Sequence, residues 1–255
     1  MLNEIVERCR AEIAQKNREA WEAEISQRLQ QVGEIPCFRK AIDTASESFI
    51  FEIKRKAPSF RGEELQLDAL ETARFYLEQG AAAISVLTEP NYFGGSLTDL
   101  EQVAKAVTIP VLRKDFIVDK LQIAESKAYG ASAVLLIADV LRGTELNEFV
   151  REAERVGIEP LVEVHSREDL ERALATTANV IGVNNRNLHS MQIDMLLGER
   201  LLNQVPTTRL KVAESGFKTR VDITRFRMLG ADAFLVGTAV LRADHPEEVI
   251  KELMG

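Results

Sequence analysis

Eight short apolar runs punctuate the chain, at residues 49–54, 82–88, 111–116, 133–138, 160–165, 180–184, 210–214 and 233–239. Each is too short for a buried helix and rich in Val, Ile, Leu or Phe, so the pattern predicts eight buried strands. From the first start to the last, seven steps cover 184 residues, about 26 per step, close to a minimal βα unit. Helical patterns stand between them at 69–79, 121–129 and 221–229. Each is followed by a repeated tetrapeptide just ahead of a strand: Gly80-Ala-Ala-Ala83, Gly130-Ala-Ser-Ala133 and Gly230-Ala-Asp-Ala233. Glycine there suits the left-handed position that ends a helix, and the alanines allow helix and strand to approach closely. Eight such units in about 200 residues match an α/β fold of the closed (β/α)8, or TIM, type over 49–255. A doubly wound open sheet is the next reading, but no G-x-G-x-x-G is present.

Residues 1–48 precede the barrel as a helical extension. Ile5, Cys9, Ile13, Trp21, Ile25 and Leu29 keep a four-residue spacing broken only at Asn17. Such a spacing drifts about 40° per step around a 3.6-residue helix. The segment is therefore two helices, or one that wraps a surface. Its two expected positions are the side of the barrel and the neighbourhood of its mouth.

Alternate residues of a barrel strand point inward. Several runs carry charge where valine or leucine would suffice. Ile50, Glu52 and Lys54 share a face; so do Leu112, Lys114 and Phe116. The same holds for Leu161, Glu163 and His165, for Gly182, Asn184 and Arg186, and for Val212, Glu214 and Gly216. The charged members stand toward the C-terminal end of each run, where barrel enzymes keep their active sites. Three cations, Lys54, Lys114 and Arg186, thus meet three anions, Glu52, Glu163 and Glu214. Buried charges must pair or stay solvated. One pair could serve structure alone; five strands doing this at one end point to a polar site suited to acid–base chemistry.

Strand seven ends in Glu214-Ser215-Gly216 and strand eight in Val236-Gly237-Thr238. Backbone N–H groups after these two strands are the usual phosphate cradle of such barrels. The basic loop Arg55-Lys-Ala-Pro-Ser-Phe-Arg-Gly62 after strand one either closes over an anionic substrate or is simply solvated. Phe93, Phe116 and Leu135 read equally as core packing or as the wall of a pocket for an aromatic ring. His165, His189 and His245 lack metal-ligand spacing and are expected to be non-catalytic; no metal site is expected. Neither a Walker A nor a G-x-S-x-G motif occurs.

Composition narrows the partners. The 255 residues carry 32 Lys and Arg against 40 Asp and Glu, a formal charge of −8. An acidic chain without a dense basic run is a poor ligand for nucleic acid or anionic membranes. No stretch approaches 18 uncharged apolar residues, so no membrane span is expected, and the N-terminus lacks the apolar core of a secretory signal. Two distant cysteines, Cys9 and Cys37, fit free thiols in a reducing cytosol.

The chain resembles the indole-3-glycerol phosphate synthase family of tryptophan biosynthesis. The resemblance rests on Glu52-Ile-Lys54 with Pro58-Ser59, Leu87-Thr-Glu89 with Tyr92-Phe-x-Gly95-Ser96, and Leu112-Arg-Lys114-Asp-Phe116-Ile-Val118. It continues in Leu135-Leu-Ile137, Glu159-Pro-Leu-Val-Glu163, Ile181-Gly-Val-Asn184-Asn-Arg186-Asn-Leu188 and Val212-Ala-Glu-Ser-Gly216. It implies a cofactor-free lyase that closes the ring of 1-(2-carboxyphenylamino)-1-deoxyribulose 5-phosphate, releasing carbon dioxide and water. By this resemblance Lys114 is the general acid at ring closure, and Glu163 and Glu52 are acid–base carboxylates. Lys54 is a second cation, near the phosphate or acting in dehydration. Asn184, Arg186 and Glu214 orient the substrate, Phe93, Phe116 and Leu135 hold its ring, and Ser215, Gly216, Gly237 and Thr238 hold its phosphate. The expected partner is this small phosphorylated molecule; the oligomeric state is open, with a monomer favoured. One departure stands out: the family's E-x-K-x-x-S-P-S has Ala57 in place of its first serine, which removes a hydroxyl near the substrate. The competing readings are a phosphoribosylanthranilate isomerase-like barrel, which would need only an acid–base pair, and a non-catalytic barrel that binds phosphorylated metabolites.

Overall fold

The computed structural model describes residues 1–44, 47–60 and 62–255. Its strands are β1 (Ser48–Ile53), β2 (Ala83–Leu87), β3 (Val111–Lys114), β4 (Ala133–Ile137), β5 (Glu159–Val164), β6 (Val180–Asn184), β7 (Leu210–Glu214) and β8 (Ala233–Val236). They pair in parallel in chain order, and β8 returns to β1, closing the barrel. Three helices precede the barrel: α1 (Leu2–Ala14), α2 (Arg18–Leu29) and α3 (Phe38–Ile42). The others follow their strands: α4 (Ala69–Glu78), α5 (Leu97–Ala106), α6 (Lys120–Ala128), α7 (Glu145–Val156), α8 (Arg167–Leu174), α9 (Met195–Leu202), α10 (Arg220–Met228), α11 (Thr238–Leu241) and α12 (Pro246–Met254). None is long and apolar enough to cross a membrane among the described residues.

Strand parity divides the core in two. Phe51, Val86, Val134, Val162, Val183 and Phe234 point outward and pack under the helices. Ile50, Leu112, Leu135, Leu161, Val212 and Leu235 point inward and fill the barrel. Helix starts are set by side-chain caps: Asp68, Ser96, Ser166 and Asp194 each accept the backbone N–H three residues on. Gly80, Gly130 and Gly230 end their helices at φ of 83°, 88° and 89°, the left-handed position expected of the repeated tetrapeptides.

β6 and β7 have the bounds of their apolar runs, β1 and β5 are shifted by one residue, and β2, β3, β4 and β8 are shorter. Lys54, Phe116 and His165, which the runs included, lie just beyond the strand ends, as do Arg186 and Gly216. The eighth run stops at Val236; Gly237 caps the short α11, so Thr238 and Ala239 are helical. Barrel strands stop pairing where the loops fan out, and the functional residues begin there.

The N-terminal segment is two helices followed by a third, and it takes both expected positions. Leu2 and Ile5 of α1 join the interior cluster at the mouth with Phe116 and Val140, and Tyr92 donates to Glu4 at 3.1 Å. Trp21 and Ile25 of α2 pack on Ala124 and Ala128 at the barrel's side. Phe38 and Ile42 of α3, directly before β1, cover the opposite end of the barrel interior.

Candidate active site

At the C-terminal ends of the strands two cavities adjoin, one of about 610 Å³ and one of about 430 Å³ of empty space. The first has an apolar wall of Phe93, Phe116, Leu135 and Leu188. Its lining also includes Glu52, Lys54, Lys114, Glu163, Asn184 and Arg186. The rings of Phe93 and Phe116 lie 6.1 Å apart at 39°, in contact with each other, and with Leu135 and Leu188 they offer one apolar side of a slot for a third ring. The second cavity is bounded by Lys54, Arg186, Glu214, Ser215, Gly216, Gly237 and Thr238. Every residue singled out for the site therefore borders one cavity or both. Lys56, Pro58 and Ser59 of the basic loop are described and Ser59 reaches the first cavity; Arg61 lies outside the described residues.

The centre of the charge cluster is Lys114. Its Nζ lies 2.9 Å from Glu163 Oε2 and 3.4 Å from Glu214 Oε2. Burial works against the ammonium, but Glu163, Glu214 and Glu52 outweigh it and hold the lysine protonated well above the usual range. Burial would raise Glu163, yet Lys114 and His165 pull it below the ordinary carboxylate range. Glu214 goes the other way: burial, with Glu163 and Glu52 nearby, pushes it well above its ordinary value of 4.5, against the pull of Lys114. Two acids around one base are thereby driven apart, as a site needs when it must hold and release protons at one pH. The second ion pair, Lys54 Nζ to Glu52 Oε1, is 2.5 Å. Burial also lowers Arg186, against the pull of Glu52; its backbone N–H and Nη1 are fixed by Asn184 Oδ1 and Met191 O, both at 2.9 Å.

Glycines make room for these acids. A Cβ on Gly182 would fall 2.3 Å from Glu214 Oε1, and one on Gly237 2.6 Å from Glu52 Oε1. Gly237 thus serves a carboxylate as well as the turn. Ser215 and Gly216 take consecutive left-handed conformations, φ 65° and 92°, uncommon for a non-glycine residue such as Ser215.

A first prediction follows from Glu214. Because its folded value is raised, ionising it costs stability, and the fold loses stability as pH rises from 4.5 through that raised value. Glu214→Gln is expected to melt higher than the parent by a margin that is small near about pH 4 and grows toward about pH 8. A margin independent of pH across thermal melts would contradict the assignment.

Sequence reasoning left several supporting residues without a role. The buried Glu89 carboxylate accepts the N–H groups of Asn91, Tyr92 and Phe93 at 3.0, 2.6 and 3.0 Å, and so fixes the turn that presents Phe93. Phe93 O in turn accepts Arg55 and Lys56 N–H, and Arg55 forks onto Asp99 at 2.8 and 2.9 Å. The loops carrying Ala57 and Phe93 are one tied unit. Asn185 donates to Ser215 O at 2.8 Å, under Gly198, where any Cβ would meet its side chain. A glycine inside a helix was the available signal. His165, set aside by spacing, puts Nε2 at 3.1 Å from Glu163 Oε1. No group of three His, Cys, Asp or Glu side chains converges as metal ligands among the described residues.

Similarity to known proteins agrees with this geometry. The family model described as indole-3-glycerol phosphate synthase matches residues 2–253. The protein of that name from Koribacter versatilis is 43% identical over 211 residues, 83% of this chain and 81% of its own. That from Aliarcobacter butzleri is 39% identical over 246 residues, 95% and 94% of the two chains. Among solved structures, a 3-hexulose-6-phosphate synthase superposes with a TM-score of 0.63 at 18% identity, over 81% of this chain and 98% of its own; that likeness concerns the barrel alone. With a family match running almost end to end and relatives aligned over four fifths or more of their length, the chain belongs to the indole-3-glycerol phosphate synthase family.

Proposed function

We propose that the cleft converts 1-(2-carboxyphenylamino)-1-deoxyribulose 5-phosphate to indole-3-glycerol phosphate, carbon dioxide and water, with the roles divided as follows. The aryl ring lies in the slot of Phe93, Phe116 and Leu135. The phosphate is held by N–H groups of the Ser215–Gly216 and Gly237–Thr238 turns. The ketose carbonyl then faces Lys114, which protonates its oxygen as the ring carbon attacks. Loss of carbon dioxide restores the ring. Lys54, already neutralised by Glu52 at 2.5 Å, is better suited to protonating the departing hydroxyl than to holding a dianion. Glu52 takes the proton from the carbon beside the ring nitrogen, and Glu163 restores that of Lys114. Asn184, Arg186 and Glu214 fix the sugar hydroxyls.

The observation that carries this reading is a buried ammonium held between two carboxylates beside an apolar ring slot. An isomerase needs no such triad, and a binding protein gains nothing from two acids driven apart around one lysine. The free thiols, half-buried Cys9 and exposed Cys37, agree with a reducing, cytosolic setting; a monomer is retained as the working state. The test is turnover of the named substrate, followed by the rise of indole fluorescence. A folded protein that binds the substrate without turning it over would refute the reading.

Ala57 is buried and lines the ring cavity. Ala57→Ser is expected to raise kcat/KM about two- to tenfold, the worth of one neutral hydrogen bond of about 0.5–1.5 kcal/mol. An unchanged or lower kcat/KM would show that no substrate atom awaits a hydroxyl there.

A further inference from the structure

Ser215 holds a conformation that its side chain disfavours. Its φ is 65°, a left-handed value that costs free energy in a residue with a Cβ and persists only where neighbours impose it. Asn185 is such a neighbour. Its backbone N–H donates to Glu214 O at 2.9 Å, and its side-chain Nδ2 donates to Ser215 O at 2.8 Å. One residue thus grips two consecutive carbonyls where β7 passes into the turn. Its own carbonyl accepts the N–H of Asp194 at 2.8 Å, the cap of α9. Ile193 and Met195, on either side of that cap, stand so close to Gly216 that a Cβ there would meet them at 2.9 and 2.6 Å.

Asn185 is 3% exposed and borders neither active-site cavity. Its amide is seated against Gly198 of α9, where any Cβ would overlap Oδ1. A side chain needed only to fill that space would be apolar. An amide there leaves Oδ1 buried without a partner among the described residues, a cost that the bond to Ser215 helps to offset.

Peptide geometry turns this grip into a direction. The Ser215–Gly216 peptide is trans and planar, so its C=O and N–H point opposite ways. With Ser215 O drawn onto Asn185, the Gly216 N–H is aimed away from Asn185. Ser215 and Gly216 border the second cavity, and no backbone carbonyl among the described residues accepts the Gly216 N–H. We propose that Asn185 is a positioning residue for the substrate's phosphate: it sets the Ser215–Gly216 peptide so that the Gly216 N–H is presented to an anion in the second cavity. This rests on the assignment of the phosphate to that turn. Gly198 belongs to the same device, as the seat that the amide requires. Replacing the Asn185 side chain spares the backbone bond to Glu214, so phosphate affinity and acid–base chemistry separate.

The test uses Asn185→Leu, of nearly the same shape but without a donor, Asn185→Ala, and Gly198→Ala, which unseats the amide from a position outside both cavities. Thermal melting identifies the folded variants. Binding of inorganic phosphate is followed by phosphorus NMR line broadening, and turnover by indole fluorescence. Phosphate Kd and substrate KM are expected to rise together by about three- to tenfold, the worth of one neutral hydrogen bond, with kcat little changed. A role in packing alone would lower the melting temperature and leave the phosphate Kd of the folded protein where it was. Thr238→Glu, which sets a carboxylate at the other turn, checks the phosphate assignment itself and is expected to bind phosphate far more weakly. Parental phosphate affinity in folded Asn185→Leu overturns the proposal, as does a fall in kcat with Kd unchanged; where the leucine variant does not fold, the same result in Asn185→Ala or Gly198→Ala decides. A parent that does not bind phosphate, or Thr238→Glu binding it as the parent does, overturns the phosphate assignment and the proposal with it. Weakened binding in Thr238→Glu beside parental binding in Asn185→Leu overturns the proposal alone.

Discussion

Lys114→Met is expected to lower kcat by about 10²–10⁴-fold, the range for removal of a positioned general acid, while KM changes little. The ring slot and the phosphate turns that would bind the substrate do not include the ammonium. The same substitution strands Glu163 and Glu214, both nearly fully buried, around an apolar side chain. Each then gains stability by taking a proton, so Glu163 moves from below the ordinary range toward Glu214 above it. The variant is therefore expected to be least stable at alkaline pH and to recover in acid. Single-turnover measurements separate the two effects: substrate binds with near-parental affinity, and ring closure is slow. Near-parental kcat in a folded Lys114→Met would mean that another group protonates the ketose oxygen.

The second large effect lies behind the same strand. Arg113 points outward from β3 and is buried under α6. It donates to Asp115 at 2.9 Å, Glu125 at 2.9 Å, Thr88 at 3.0 Å and the carbonyl of Gln122 at 3.2 Å. Glu125 also accepts Trp21 Nε1 of α2 at 2.6 Å and Lys16 at 3.2 Å, so one cluster joins the strand to the N-terminal helices. Burial opposes the Glu125 charge, but Arg113 and Lys16 outweigh it and lower the group. Arg113→Met removes the central cation, leaving buried Asp115 without its ion-pair partner and Glu125 with Lys16 alone. A loss of about 3–5 kcal/mol is expected, as for other broken buried pairs, measurable by urea unfolding. Glu125 is lowered in the parent, so its contribution is present above its ordinary value and disappears as pH falls through the folded one. The gap between parent and variant should accordingly narrow in acid. A loss below about 1 kcal/mol would place the cluster in the class of surface pairs.

Both variants mark how far the sequence could be read. Lys114 was visible because a charge at an alternate position of an apolar run has nowhere to go but the barrel interior. Arg113, its neighbour, stands on the opposite face of the same run, where alternation alone says only that helices cover it. Its partners Thr88 and Glu125 come from other elements, and no spacing connects them. His165 illustrates the same limit. Read alone it lacked a metal pattern; only the fold shows that its place two residues beyond Glu163, just past the strand end, brings Nε2 to 3.1 Å from that carboxylate.

By itself the sequence pointed to the barrel, because eight apolar runs at one repeat length match eight βα units, and no dinucleotide glycine motif favours the open sheet. It also determined the residues bordering the cleft, because strand alternation and the shared C-terminal end project them to one place, and the motif stretches pointed to the family. Only the tertiary structure decided which charge meets which. It set Lys114 between Glu163 and Glu214, opened room for those acids at Gly182 and Gly237, tied the Ala57 and Phe93 loops through Glu89 and Arg55, and laid α1 at the mouth. Periodicity records the face a side chain takes along its own element. Distances between elements far apart in the chain arise from packing, and the pKa shifts that separate the acids depend on those distances.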